Sequence, residues 1–118
     1  MAQPPLKQGT IAIAVVVPPR GPAKRRPCVV YTPDALIAAA TMVDVVAIST
    51  SCYPDNPDLI PLPWSEDGRA MTRLRKPCSI ALGVTDTVAK TSLTTTWGSV
   101  PRNVLADLLD GLKKRGKI

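Results

Sequence analysis

"GTIAIAVVVPPRGPAKRRPCVVY", residues 9–31, sets two apolar runs on either side of a segment rich in proline and cations. Gly9 to Val17 is dense in Ile and Val without polar alternation, the pattern of a strand buried on both faces. Residues 18–26, "PPRGPAKRR", place three prolines and a glycine among small and charged positions and read as a loop. Cys28 to Tyr31 reads as a second short strand, with Pro27 at its first position, where a missing N–H costs least. Lys24, Arg25 and Arg26 thus stand at the mouth of a buried strand. A cation fixed there points to an anion to be held, since a solubility charge could sit anywhere on the surface.

The rest of the chain extends the same pattern. Thr32-Pro33-Asp34 has the form of a helix start, Thr32 as N-cap and Pro33 at the first helical position, with a turn or two through Ala40. Val43 to Ser49 is a third apolar strand, and Thr50 to Asp58 a loop. Leu59 to Leu62 reads as an edge strand, because prolines spoil a central one. Asp67-Gly68 signals a turn, followed by strands at 70–75 and 79–84. The Thr-rich segment 86–98 predicts only a short strand. From Pro101, Val104, Leu105, Leu108, Leu109 and Leu112 share one helical face; Lys113 to Arg115 close the last turn and Gly116 ends it. Gly111 within that helix costs about 1 kcal/mol relative to alanine. Several short strands followed by one terminal helix predict a small, strongly bent sheet or barrel with the helix packed on it. The organisation is a flexible tail over residues 1–8 and a single domain over 9–116.

With 118 residues, 45% hydrophobic and 20% charged, the chain can bury a core and is not intrinsically disordered. The core must be aliphatic, because the aromatics are only Tyr31, Tyr53, Trp64 and Trp97. A formal net charge of +6 favours a polyanionic partner. Three cysteines without a histidine exclude Cys/His zinc patterns and disfavour a disulfide framework, so a reducing cytoplasm is expected, with two of the cysteines as small buried side chains. No apolar run reaches the ~20 residues of a bilayer span, and no membrane partner is expected.

The absence of histidine removes the ordinary acid–base shuttle at neutral pH. Neither a Walker-type phosphate loop nor an aromatic RNP signature is present. The remaining inventory of Arg, Lys, Ser and Thr suits phosphate chemistry by charge stabilisation, with no metal or other cofactor called for. An RNA phosphodiester supplies its own nucleophile, the 2′-OH, so the protein need only align the phosphate and neutralise developing charge. Arg26 is the leading candidate, since a guanidinium grips two phosphate oxygens and stays charged; a solvated loop cation is its bland alternative. Ser49, Thr50 and Ser51 end the third strand, where hydroxyls bind phosphate or cap a turn. Arg73, Arg75 and Lys76 form a second basic cluster, either an RNA-backbone contact or the charges of a protected edge. Trp64 is read as packed in the loop or core rather than stacking a base, and Trp97 as lying beneath the helix. Asp44, inside an apolar strand, is expected to find a partner among the arginines.

Taken together, these segments resemble the MazF/PemK-family toxins. The resemblance lies in the Gly-led strand Gly9-Thr10-Ile11, the loop, Arg26-Pro27 entering a Val-Val strand, and the strand end Ala47 to Ser51 with Thr50 in the key place. It continues through Gly68 to Pro77 and the terminal helix after Gly98-Ser99-Val100, roughly residues 9 to 112. The resemblance implies an SH3-like barrel with a C-terminal helix, a homodimer, and metal-independent cleavage of single-stranded RNA at short sequences. It further implies a cognate antitoxin over the RNA groove. Arg26 and Thr50 inherit the catalytic roles, with Lys24, Arg25, Ser49, Ser51, Arg73, Arg75 and Lys76 binding RNA. The sequence departs from some members at Arg73-Leu74-Arg75-Lys76-Pro77, where Arg75 stands in place of an aspartate. Two other readings stay open: a CcdB-like toxin that binds a protein target, disfavoured by the non-aromatic C-terminus "KKRGKI", and a silent member that binds RNA or antitoxin without cutting.

Overall fold

A computed structural model describes residues 5–118 except Pro19, Ser51, Cys52 and Pro54. Strands β1 (Thr10–Val16), β2 (Lys24–Val30), β3 (Met42–Ser49), β4 (Leu59–Pro61), β5 (Ser79–Ala89) and β6 (Thr94–Ser99) form one sheet. Helix α1 (Asp34–Ile37) joins β2 to β3, a 3-10 turn (Lys90–Ser92) joins β5 to β6, and helix α2 (Arg102–Lys114) ends the chain. The strand order is β4-β5-β3-β2-β1-β6, with every neighbour antiparallel. This is the expected mainly-β, bent sheet with a packed C-terminal helix. The two edges, β4 and β6, do not pair, so the barrel is left open along that seam.

Alternation of side chains across the pleat gives the sheet two cores. On one face Ile11, Val29, Val46, Ile48, Ile80 and Leu82 pack beneath Val104, Leu108 and Leu112 of α2. On the other, Ala12, Ala14, Val16, Cys28, Val30, Val45 and Ala47 meet Ile37, Val88 and Leu93. That double burial is why β1 reads as unbroken apolar sequence. Gly111 has a packing reason as well: a Cβ there would lie 2.9 Å from Leu82 Cδ1, so the glycine lets α2 settle against β5. The helix ends with Lys117 N–H returning to Leu112 O at 2.9 Å. Beyond that return, the Arg115 guanidinium grips Asp58 in the β3–β4 connection.

Several local expectations are corrected. Residues 24–26 are strand, not loop, because Val16, Val15 and Ala14 supply a backbone partner for Lys24, Arg25 and Arg26. Their long side chains leave the ladder at its solvated end. Thr32 is not the helix cap; its hydroxyl accepts from Asp44 N–H at 2.8 Å, and Pro33 precedes a helix of one turn. The Thr-rich segment holds the last four residues of β5 and all of β6 but Ser99, its β-branched residues paired against β3 and β1. Residues 70–75 are not a strand: Arg73 N–H turns back to Ala70 O at 2.8 Å. At the start of the domain, Gln8 N–H donates to Asp34 Oδ1 at 2.7 Å and Gln8 Nε2 to Tyr31 O at 2.9 Å.

The β4–β5 connection, residues 62–78, crosses the open seam. Ser99 N–H of β6 donates to Met71 O at 3.0 Å. Beside it Gly98 lies so close to the loop that a Cβ would meet Thr72 O at 2.2 Å. Thr72 is 1% exposed, its hydroxyl donating to Pro63 O at 2.6 Å. A side chain at position 98 must therefore push backbone apart. Gly98→Ala is expected to lower stability by about 1–3 kcal/mol in urea unfolding. Gly83→Ala, on β5 with open space around it, should be neutral or mildly stabilising. Equal effects from the two would remove the close contact as the cause.

Candidate functional site

Register brings the basic strand mouth beside the hydroxyl-bearing strand end. In the β2–β3 ladder Cys28 opposes Ala47 and Val29 opposes Val46. Carried two residues further, the same register sets Arg26 across from Ser49, the last residue of β3. Ser49 in turn opposes Ser79 of β5. The loop after β4 folds back over this end, Ser65 N–H donating to Leu74 O at 3.0 Å and Leu62 N–H to Cys78 O at 3.0 Å.

Between these elements lies a cleft of about 550 Å³. It is walled by Lys24, Arg25, Arg26, Ser49, Thr50, Arg73, Arg75 and Lys76, over a floor that includes Ile48, Leu74 and Cys78. Every residue read from sequence as a site candidate is brought here, except Ser51, which lies outside the described residues. Among the described residues the lining holds six cations and no carboxylate, a concentration of like charge that an anion from outside would relieve, with the nearby Asp67 acting on Arg75 alone of the six. Arg26 is half-buried, and its Nε is shielded from solvent with no hydrogen-bond partner among the described residues. A buried donor left unmet costs on the order of 1–3 kcal/mol, more when charged. Arg25 is engaged, donating from Nη2 to Thr94 Oγ1 at 3.2 Å.

Beside this cleft is a second cavity of about 420 Å³, lined by Gly68, Arg73, Arg75, Thr96 and Trp97. Arg73 and Arg75 belong to both. Among the described residues, Arg73 and Trp97 are also the non-glycine residues with left-handed backbone, at φ 62° and 65°. Each such residue costs on the order of 1–3 kcal/mol and persists only when its surroundings hold it. Trp97 does not lie under the helix; it is 58% exposed. Trp64 is 42% exposed, so it too is not a core residue. The sequence signal for Trp97 was Thr96-Trp97-Gly98, a glycine directly after an aromatic inside a strand pattern, which marks a bulge or a close backbone approach.

Other titratable groups have structural explanations. Burial pushes the Cys28 thiol up to about 12, and its Sγ–H faces Ala12 O at 3.4 Å, so it is an inert packing group. Cys78 is likewise buried, and Cys52 lies outside the described residues. Asp44 finds a hydroxyl rather than an arginine, accepting from Thr87 Oγ1 at 2.7 Å, because β5 and not the basic cluster lies opposite it. Burial, followed by the Asp44 charge, raises the Tyr31 phenol.

Asp67 shapes the loop that carries Arg73 and Arg75. Hydrogen bonds from the Ser65 hydroxyl and the Arg69 backbone N–H hold its carboxyl below the ordinary value of 3.8. A carboxylate depressed in the folded state contributes order that is complete above its unfolded pKa and fades as pH falls through the lower folded pKa. Protection of the Arg69 amide from hydrogen exchange is therefore expected to drop as the pH is lowered below the ordinary carboxyl value of 3.8. Asp67→Asn should abolish that pH dependence. An unchanged profile in the variant would assign the loosening to another group.

The sequence matches the profile of PemK-like, MazF-like toxins of type II toxin–antitoxin systems over residues 7–115. No curated protein matches it in sequence. The fold is similar to that of crystalline MazF from Deinococcus radiodurans at TM-score 0.70 and 15% identity, covering 96% of this chain and 97% of that one. It is also similar to Mycobacterium tuberculosis toxin MazF-mt6, at TM-score 0.66 and 18% identity, with 91% and 97% covered. A third similar structure is an endoribonuclease in complex with its cognate antitoxin from a mycobacterial species, at TM-score 0.64 and 14% identity, with 94% and 93% covered.

Proposed function

The chain belongs to the PemK-like, MazF-like toxins of type II toxin–antitoxin systems, and from that premise we propose that it is a sequence-selective endoribonuclease of single-stranded RNA. The observation that carries this reading is the shielded Nε of Arg26, without a partner among the described residues, in a cleft whose described lining holds six cations and no carboxylate. Such a cleft lacks only its anion, and a phosphodiester fits its charge.

In the proposed reaction the RNA 2′-oxygen attacks the adjacent phosphorus and the P–O5′ bond breaks. The products are a 2′,3′-cyclic phosphate and a free 5′-hydroxyl. The 2′ proton leaves to solvent and the O5′ oxygen gains one, so the step needs no metal or co-reactant. Arg26 neutralises the charge that develops on the non-bridging oxygens, where preorganised donors act most strongly. Thr50, at the neighbouring strand end, positions the phosphate with its hydroxyl for in-line attack. Lys24, Arg25, Arg73, Arg75 and Lys76 hold the flanking backbone, and Ser49 adds a polar wall. Arg75, standing where some relatives carry aspartate, adds to backbone attraction and supplies no base. In the cell, the proposal places the protein in the cytoplasm as a homodimer, silenced by a cognate antitoxin that covers the cationic cleft.

The test is cleavage of a long single-stranded RNA in EDTA by the wild type, Arg26→Ala and Thr50→Ala. The wild type should give defined fragments, with the rate reduced about 10²–10³-fold in Arg26→Ala and substantially in Thr50→Ala. Intact RNA with all three folded proteins would sink the enzyme reading. RNA affinity should fall with salt at a log–log slope of about −0.7 per phosphate neutralised.

A further inference from the structure

We propose that Trp97 is a stacking platform for one unpaired base of the bound strand, held beside the phosphate cleft, and thereby a determinant of which sequence is bound. Its ligand class rests on the RNA reading above; its geometry does not.

The β1–β6 ladder pairs Ile11 with Gly98 but Ala12 with Thr95, so Thr96 and Trp97 are looped out as a bulge. Bulges re-aim side chains, and this one is fastened on every side. The Thr96 hydroxyl donates to Ile11 O at 2.9 Å and accepts from Gly98 N–H at 3.2 Å. Gly98 is clamped against the Thr72 carbonyl, and Ser99 N–H is bonded to Met71 O. Trp97 is left in left-handed backbone, uncommon for a bulky aromatic, with the residue 58% exposed. A chain with four aromatics thus spends one where burial gains it little and the backbone is strained.

What lines the cavity beside Trp97 gives the bulge a use. Trp97 and Thr96 share their cavity with Arg73 and Arg75, which also line the phosphate cleft. An aromatic face next to guanidiniums that continue into a cationic cleft is matched by a nucleotide: its base on the indole, its phosphate on the arginines. Only an unpaired base offers that face, so the platform selects single strands over duplex.

The probe is a 2′-O-methyl RNA oligomer of about eight nucleotides, which cannot be cut, set against an abasic oligomer of the same length and charge. In a Trp64→Phe background the indole signal reports Trp97 alone. The base-bearing oligomer should quench it and the abasic one should not. Trp97→Ala should weaken the base-bearing oligomer about 5- to 100-fold while leaving abasic binding and the salt slope unchanged, and Trp97→Phe should retain most of the affinity. Trp97→Gly provides the folding control, because glycine adopts this backbone without strain; it should be no less stable than wild type and still lose affinity. Equal binding of the two oligomers without quenching overturns the platform, as does undiminished affinity in Trp97→Ala. Conversion of a dimer to monomers by Trp97→Ala also overturns it, placing the ring between two copies of the chain. A wild type that binds and quenches but leaves RNA intact keeps the platform and removes the cleavage reading. One that cuts RNA identically with and without Trp97 does the reverse.

Discussion

The contact between Gly98 and the Thr72 carbonyl governs more of this molecule than any hydrogen bond in the sheet. The strand order leaves β4 and β6 unpaired, and the chain between β4 and β5 spans that gap by pressing its backbone against β6. Only a residue without a Cβ permits the approach. Thr72, buried and bonded to Pro63 O and Leu74 N–H, keeps the loop from drifting. Arg73, Arg75 and Lys76 follow within four residues, and Trp97 precedes Gly98 directly. One steric contact thus fixes the position of both walls that face the proposed ligand.

Charge and strain are concentrated in the same quarter of the structure. Six cations around one cleft repel one another. Two of the described residues in left-handed backbone, Arg73 and Trp97, line the adjoining cavity. Neither feature helps the fold. Both are tolerated because two aliphatic cores, one beneath α2 and one on the opposite face, supply the stability elsewhere. Each fully buried leucine such as Leu108 or Leu112 contributes roughly 1.5–3 kcal/mol, enough to offset a strained residue.

Much of this was legible in the chain. The strands β1, β2 and β3, the edge character of β4 and the terminal helix follow from apolar runs, prolines and a 3.6-residue stripe, all local signals. Arg26 stood out as a cation beside the proline that opens an apolar run, and Thr50 through the family resemblance. What was misread shares one cause. Residues 24–26 look like loop until β1 provides a ladder; residues 70–75 look like strand until their hydrogen bonds turn inward; Trp97 looks like core until the bulge turns it out. Each depends on a partner far away in sequence.

The sequence by itself determined the inventory: an aliphatic two-faced sheet, no histidine, an excess of cations and their placement beside strand ends. Burial and charge are properties of single residues and their near neighbours, so composition and period are enough to read them. Only the tertiary structure decided that residues 24–26, 49–50 and 73–76 share one cleft, that Arg26 Nε has no partner among the described residues, and that Trp97 lines a cavity with Arg73 and Arg75. Those facts rest on antiparallel register and on one close backbone contact, distances set between segments that no local pattern encodes.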